Sequence, residues 1–334
     1  MNVSMWAKAV NVIPRVSKEE WDGLDVISRW LIATRSAVLV MTFISAAIAG
    51  LLAARAGHFN VLLWLMVTVG LLFAHATNNL VNDITDHLKG VDKDNYFRAQ
   101  YGPQPLEHGL MTRGQAVLYT AVTGLIALGA GAILVAMRGE ATLGLLAIGA
   151  FFVLFYTWPL KYIGMGEVAV ILVWGPLMVG GGYYVITGET SFAVVCASLP
   201  VALAATTVLF GKHIDKLEAD AGKGIRTMPV LLGEANARRA TIAMFTLQYL
   251  LVAGLVLSGY LSWLLLAVLA ALPWYMRALR VYRQPRPAGP PPEYPPNIWP
   301  LWFAAFAFQH TRRFGSLFLL GLAADVVARK LGIL

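Results

Sequence analysis

The stretch from Asn78 to Asp94 reads NNLVNDITDHLKGVDKD and follows VLLWLMVTVGLLFAHAT, an apolar run long enough to cross a bilayer. His75, Asn79, Asn82, Asp83 and Asp86 fall three and four residues apart, so a helix gathers them along one face. Asp92 and Asp94 follow close behind. Carboxylates this near one another repel, and hydrocarbon cannot be what they face, so the row calls for a positive partner and a polar cavity. A hard divalent cation suits these groups. Mg²⁺ takes carboxylate and amide oxygens, keeps several waters and commonly bridges to a substrate phosphate. A calcium EF-hand is a poor match, because DITDHLKGVDKD lacks the regular oxygen spacing and the closing glutamate. Zinc is disfavoured by the lack of a cysteine and histidine cluster. For a single Asn–Asp pair, a polar helix end entering water is the plainer alternative. A whole row that begins a turn or two inside the span points instead to magnesium and phosphate.

A second charged stretch, GKHIDKLEADAGKGIRTMPVLLGE, sets Asp215, Glu218 and Asp220 among Lys212, His213, Lys216, Lys223 and Arg226. Taken alone it reads as a solvated helix extension. Its place after another apolar span on the same side of the membrane makes it a partner for the first. Two acidic clusters across one cavity would each hold a Mg²⁺ on a shared diphosphate, with the lysines and Arg226 neutralising the remaining phosphate oxygens. On a continuous helix Asp215 stands five residues before Asp220, roughly 140° around the axis, whereas Lys216 and Asp220 share a face. Asp220 is therefore the expected principal ligand, and Lys216 is expected to point at the diphosphate.

The elements that must position these residues are membrane helices. The 334 residues are 58% hydrophobic and only 13% charged, with a mean hydropathy of +0.66, far too apolar for an ordinary soluble domain. Apolar spans of about twenty residues predict about nine crossings, near 29–54, 59–82, 113–137, 141–158, 167–187, 191–212, 239–258, 260–280 and 314–330. Residues 1–28 form a polar amino-terminal segment without the apolar core of a signal peptide, and 29–334 read as a single transmembrane domain. The formal charge is +8, but the basic residues fall mostly on alternate loops, so topology rather than nucleic-acid binding explains it. The positive-inside rule then places the amino terminus and the long loops after the second and sixth helices in the cytoplasm of a cell membrane. The lone Cys196 excludes an intrachain disulfide and a cysteine metal site. Prolines in the strap at 283–300 forbid a regular helix, and LWFAAFAFQHTRRF after it reads as an interfacial segment or a re-entrant start to the last helix. His75 reads as a packed, hydrogen-bonded helix contact. Arg35, inside the first span, either points at a diphosphate or acidic acceptor, or snorkels to the cytoplasmic interface.

NDITDHLKGVDKD resembles the first aspartate-rich motif of the UbiA superfamily of intramembrane prenyltransferases. The spacing NDxxDxxxGxD, filled by Asn82, Asp83, Asp86, Gly90 and Asp92, is similar to the branch that prenylates dihydroxynaphthoate in menaquinone synthesis. EADAGKGIRTMPVLLGE resembles the family's second motif, YTWPLKYIGMGE its tyrosine–lysine loop with the following Gly-x-Gly-acid, and ATRSAVLV the arginine that opens its first helix. The resemblance implies a nine-helix bundle around a lipid-open central cavity. It implies a polyprenyl diphosphate donor held by Mg²⁺, and transfer of the prenyl group to an aromatic or other lipophilic acceptor.

Carried over, Asn82, Asp83 and Asp86 bind one metal, and Asp220 with Glu218 or Asp215 binds the other. Asp83, Asp86, Asp220 and Lys161 form the catalytic set. Asn79, Asn82, Arg35, Lys216, Lys223, Arg226 and Tyr156 line the substrates. Three positions depart from the family pattern. Lys216 stands where an aspartate is usual, with Asp215 one residue early; Gln104 replaces an arginine; and Tyr156 and Lys161 lie one residue further apart. A cation-coupled transporter also uses intramembrane acids, but here they crowd one cytoplasmic mouth and no broken helix pair repeats them. A terpene cyclase would keep the fold and quench the cation internally.

Overall fold

The computed structural model describes residues 1–91, 102–295 and 298–334; Asp92, Lys93, Asp94 and Arg98 of the first acidic segment, and Asn297 of the strap, lie outside the described residues. Among the described residues all regular structure is helical. The helices are α1 (Val3–Asn11), α2 (Lys18–Asp22), α3 (Val26–Ala33), α4 (Val40–Arg55), α5 (Val61–Leu88), α6 (Arg113–Arg138) and α7 (Glu140–Phe155). They continue as α8 (Gly166–Leu172), α9 (Gly182–Thr187), α10 (Phe192–Asp215), α11 (Leu217–Gly222), α12 (Met228–Leu257), α13 (Leu272–Tyr282) and α14 (Phe303–Lys330). A π-helical stretch, Val173–Gly181, joins α8 to α9 and contains Pro176, which has no N–H to give to a ladder.

Among the described residues, seven stretches are long and apolar enough to cross a membrane: Ser36–Arg55, Val61–Leu88, Arg113–Arg138, Gly166–Thr187, Phe192–Asp215, Met228–Leu257 and Trp263–Tyr282. The chain is an all-α integral membrane protein. The other two of the nine expected crossings fall on α7, which is apolar but sixteen residues long, and on α14. The latter has twenty-eight residues but carries Arg312, Arg313, Asp325, Arg329 and Lys330.

Among the boundaries that differ from expectation, three have a plain physical reason. The first span is not one helix. Arg35 takes a left-handed backbone (φ 55°, ψ 50°), which separates α3 from a short 3₁₀ turn and α4. Helix α5 does not stop at residue 82 but runs to Leu88, so the whole polar row from His75 to Asp86 sits on one helix. At 1.5 Å per residue α5 is about 42 Å long, well beyond a hydrocarbon core of about 30 Å. The segment expected to be interfacial or re-entrant is the start of α14, which runs unbroken from Phe303.

The chain forms two compact units, residues 1–43 with 68–159, and residues 44–67 with 160–334. In the first, Ala9, Trp21 and Leu24 of the amino-terminal segment share a buried cluster with Ile32, Ala33, Leu80, Leu110 and Met111. That cluster anchors the amino terminus against α5 at Leu80. In the second, α10 packs against α12, α14 and the π-helical stretch. Its core holds Phe210, Ile214, Phe245, Tyr282 and Phe303, with Tyr282 completely buried. Gly211 permits this packing, since a Cβ there would lie 2.6 Å from the Tyr282 hydroxyl and 2.7 Å from the backbone nitrogen of Ala304.

Candidate active site

In the first unit the polar row of α5 closes on the break at Arg35. The Arg35 guanidinium reaches back to α5, with Nη2 3.0 Å from Asp83 Oδ1. The same nitrogen donates to the Asn79 carbonyl at 2.9 Å and toward Asn82 Oδ1 at 3.4 Å. Asn79 completes the clasp by donating its side-chain amide to the Thr34 carbonyl at 2.8 Å. Thr34 is the last residue before the left-handed turn, so Asn79 and Arg35 together fix a backbone conformation that costs a non-glycine residue about 1 kcal/mol or more. This arrangement supplies the cation that the sequence calls for. It also means that Arg35 does not sit within a helix, as the span suggests, but at the pivot between two.

On its other sides α5 is held by amides. Asn78 donates to the Val153 carbonyl at 2.9 Å and Asn82 to Thr157 Oγ1 at 3.0 Å, both near the end of α7. His75 Nδ1 lies 2.7 Å from Thr42 Oγ1, the packed helix contact expected of it. Asp83 and Asp86 are 6% and 4% exposed and lie three residues apart on the same face. Just past Asp86 the helix ends. Gly90 is left-handed (φ 66°), and the Val91 N–H returns to the Asp86 carbonyl at 2.9 Å, a closing turn that fixes where the carboxylate-bearing turn stops. Two carboxylates and an amide oxygen are the hard donor set that Mg²⁺ accepts, so these residues fit one such ion. Asp92, the last residue of the motif, lies outside the described residues.

The second charged segment, in the second unit, is differently built. Helix α10 ends at Asp215, Lys216 is non-helical (φ −117°, ψ 23°), and α11 begins at Leu217. The expected continuous helix through Asp220 is thus broken at Lys216. Lys216 and Asp220 nevertheless meet, Nζ to Oδ1 at 2.8 Å, with both side chains more than nine-tenths buried. Asp220 Oδ2 is buried and accepts no hydrogen bond among the described residues.

Asp215 faces another element altogether. Its Oδ2 accepts from the backbone N–H groups of Trp302 and Ala304, and its Oδ1 from that of Phe303, each at 2.9 Å. A carboxylate from α10 thereby caps the first turn of α14, where the unsatisfied N–H groups and the helix dipole favour negative charge. Arg286 of the strap lies 3.9 Å from Asp215, donates to the Pro300 carbonyl at 2.7 Å and stacks over Trp299. Glu218, Lys223 and Arg226 are exposed.

Lys161 is buried in a short 3₁₀ turn, Leu160–Ile163, and Tyr156 is half-buried just beyond α7. The element following Lys161 is tied to the second segment by a residue that sequence reasoning noticed only as part of a motif. Glu167, 1% exposed at the start of α8, accepts from His213 at 2.6 Å and from the Met228 backbone N–H at 3.3 Å. It joins α8, the end of α10 and the start of α12. The available signal was an acid inside the apolar run GMGEVAVILVWG, which must find a partner.

A family profile, the UbiA prenyltransferase family, matches residues 43–294. The protein named 1,4-dihydroxy-2-naphthoate octaprenyltransferase in Escherichia coli (strain K12) is 30% identical over 222 residues, covering 63% of this chain and 70% of that one. Among solved structures, a UbiA homologue from Aeropyrum pernix K1 superposes with a TM-score of 0.63 at 16% identity, over 87% of this chain and 97% of that chain. A homologue from Archaeoglobus fulgidus, bound to GPP and Mg²⁺, gives a TM-score of 0.53 at 18% identity over 86% and 98%. At these identities the structural likeness speaks for the fold, and the sequence match for kinship: the chain belongs to the UbiA prenyltransferase family.

Proposed function

We propose that this prenyltransferase moves a polyprenyl group from a polyprenyl diphosphate to an aromatic acceptor of the naphthoate kind named for its bacterial relative, in the making of a menaquinone-type quinone. The observation that carries the donor half is the buried Asp83–Arg35 pair, with Asp86 and the Asn82 amide on the same turns of α5. Asn82, Asp83 and Asp86 would hold Mg²⁺. When bound, that ion screens the diphosphate charge as the allylic C–O bond breaks.

Arg35 pairs with Asp83 and aims it, since a buried carboxylate is tolerated only with a charge partner. Asn82, pinned to Thr157, fixes its amide oxygen in the orientation a ligand needs. Lys161, buried in the turn before α8, and the exposed Lys223 and Arg226 supply cations suited to phosphate oxygens, while the buried Asp220 holds the Lys216 ammonium in place. Tyr156 contributes an aromatic face and a hydroxyl to substrate binding. The clustering of lysines and arginines on the loops that carry both segments supports a cytoplasmic active side in a cell membrane.

The test is to incubate the purified protein with Mg²⁺, a polyprenyl diphosphate and 1,4-dihydroxy-2-naphthoate and to identify the lipid product by mass spectrometry. A prenylated naphthoate whose formation stops with EDTA and resumes with added Mg²⁺ is the expected result. A cyclised hydrocarbon formed without acceptor, or turnover that survives chelation, would overturn the reading.

A further inference from the structure

Residues 1–28 precede the stretch matched by the family profile and hold none of the candidate site residues, yet they are firmly built. Asp25 buckles two helices together. Its Oδ2 accepts from the Asn2 backbone N–H at 2.7 Å and its Oδ1 from Trp6 Nε1 at 3.1 Å, which holds α1. The same Oδ1 accepts from the Ser28 N–H at 3.0 Å, which caps α3. Asn2 in turn caps α1, its side chain accepting from the Met5 N–H at 3.0 Å. Met5 and Ala9 of α1 face inward, onto the buried cluster that contains Trp21, Ile32 and Leu80.

Helix α1 also has a second apolar face. Val3, Ala7 and Val10 fall within about 60° of one another around the axis and are all exposed, with Ser4, Lys8 and Asn11 forming a polar face beside them. Because Asn2 and Asp25 are bonded, the residues that follow them, Val3 and Val26, are brought to one edge. Val3 and Val26 are 64% and 69% exposed, and Val10 and Ile27 are exposed with them. An apolar patch fixed on two joined helices calls for apolar surroundings. What those are follows from where α3 leads. It runs through the half-buried Trp30 and the turn at Arg35 into the first crossing, Ser36–Arg55, on which Val38, Val40 and Phe43 are also exposed. The patch thus continues the lipid-facing surface of that crossing. Headgroup charge does not explain it, since residues 1–28 carry three basic side chains against four acidic ones.

We infer that α1 and the first turn of α3 lie in the interface of the bilayer that the crossings span, with Val3, Val10, Val26 and Ile27 among the acyl chains and Lys8 in water. Burial of apolar surface holds them there, and Asp25 sets the two helices at the angle that lets both dip at once. The amino-terminal segment is then a membrane-surface element and not a free cytoplasmic extension. This inference is independent of the donor and acceptor chemistry.

The test uses the full chain in a Cys196→Ser background, with Val10→Cys, Val26→Cys or Lys8→Cys introduced singly at exposed positions and labelled with the fluorophore nitrobenzoxadiazole. Each protein is reconstituted into vesicles of neutral phosphatidylcholine. Quenching by phosphatidylcholine that bears a nitroxide near the top of its acyl chain is compared with quenching by aqueous iodide. The Val10→Cys and Val26→Cys labels should lose about half of their emission or more to the nitroxide lipid and little to iodide, and the Lys8→Cys label should show the reverse. Iodide quenching of all three labels would put the face in water and overturn the inference. Shielding of the Val10→Cys label from both quenchers would overturn it as well, because protein would then cover the face. So would nitroxide quenching that appeared only after anionic lipid was added, since headgroup charge would then be the cause.

Discussion

The two charged segments look alike in sequence and differ in what their acids do. On α5, Asp83 and Asp86 are neighbours on one helical face, joined by the Asn82 amide, and the cation that steadies them comes from outside the helix, from Arg35 forty-eight positions before Asp83. Around α10 and α11 the acids are dispersed. One caps another helix, one meets solvent, and the third is paired with a lysine four residues away. A run of acidic letters is therefore not a metal site until the destinations of its oxygens are counted. The first segment concentrates oxygen ligands, whereas the second concentrates positive charge.

Substitutions that exchange these characters should have effects graded by how directly they touch the donor. The largest loss is expected for Asp83→Ala and Asp86→Ala. Each removes a ligand that is fixed before the reaction, and activity should drop at least a hundredfold, about 3 kcal/mol of transition-state stabilisation. The product assay read beside a circular-dichroism check of folding measures this, and near-normal turnover in either variant would take the first segment out of the site. Arg35→Ala comes next. It removes the charge partner of a buried carboxylate and the donor to the Asn79 carbonyl, so stability should fall by roughly 3 kcal/mol and thermal unfolding in detergent should show it. An unchanged midpoint would mean that Asp83 needs no guanidinium.

Asp215→Ala should be more modest in activity than in stability. It leaves three N–H groups at the start of α14 without an acceptor, a cost on the order of 3 kcal/mol, whereas Asp215→Asn keeps one acceptor oxygen and should lose about half of that. An Asp215→Asn defect as severe as that of Asp220→Asn would place Asp215 in the chemistry instead. The smallest effect is expected for Glu218→Gln. Its side chain is exposed, so stability should stay within about 0.5 kcal/mol and turnover should be unaltered. Loss of activity there would erase the contrast between the segments.

Much of this was legible in the amino-acid sequence, because membrane helices are announced by length and hydropathy, and because His75, Asn79, Asn82, Asp83 and Asp86 follow helical spacing. Even the meeting of Lys216 and Asp220 was legible, since residues four apart meet whether the intervening turn is perfect or broken at its first residue. The hidden features are those set by distant partners. Nothing local says that Asp215 will cap a helix whose first turn lies eighty-seven to eighty-nine positions later. Nor does the sequence mark Arg35 as left-handed, because that conformation is imposed by Asn79 and Asp83 rather than preferred by arginine. The start of α14 was half legible: its aromatic first turns read as interfacial or as a start to the last helix, and the Asp215 carboxylate that satisfies their N–H groups was not visible.

The central claim is that the polar row of α5 binds the donor through a metal. The most direct test is the affinity for farnesyl thiodiphosphate, measured by calorimetry with and without Mg²⁺, in the wild type and Asp83→Asn. Asp83→Asn should abolish the gain in affinity that Mg²⁺ confers while leaving metal-free binding nearly intact. If the magnesium-dependent gain survived in Asp83→Asn, the claim would be contradicted.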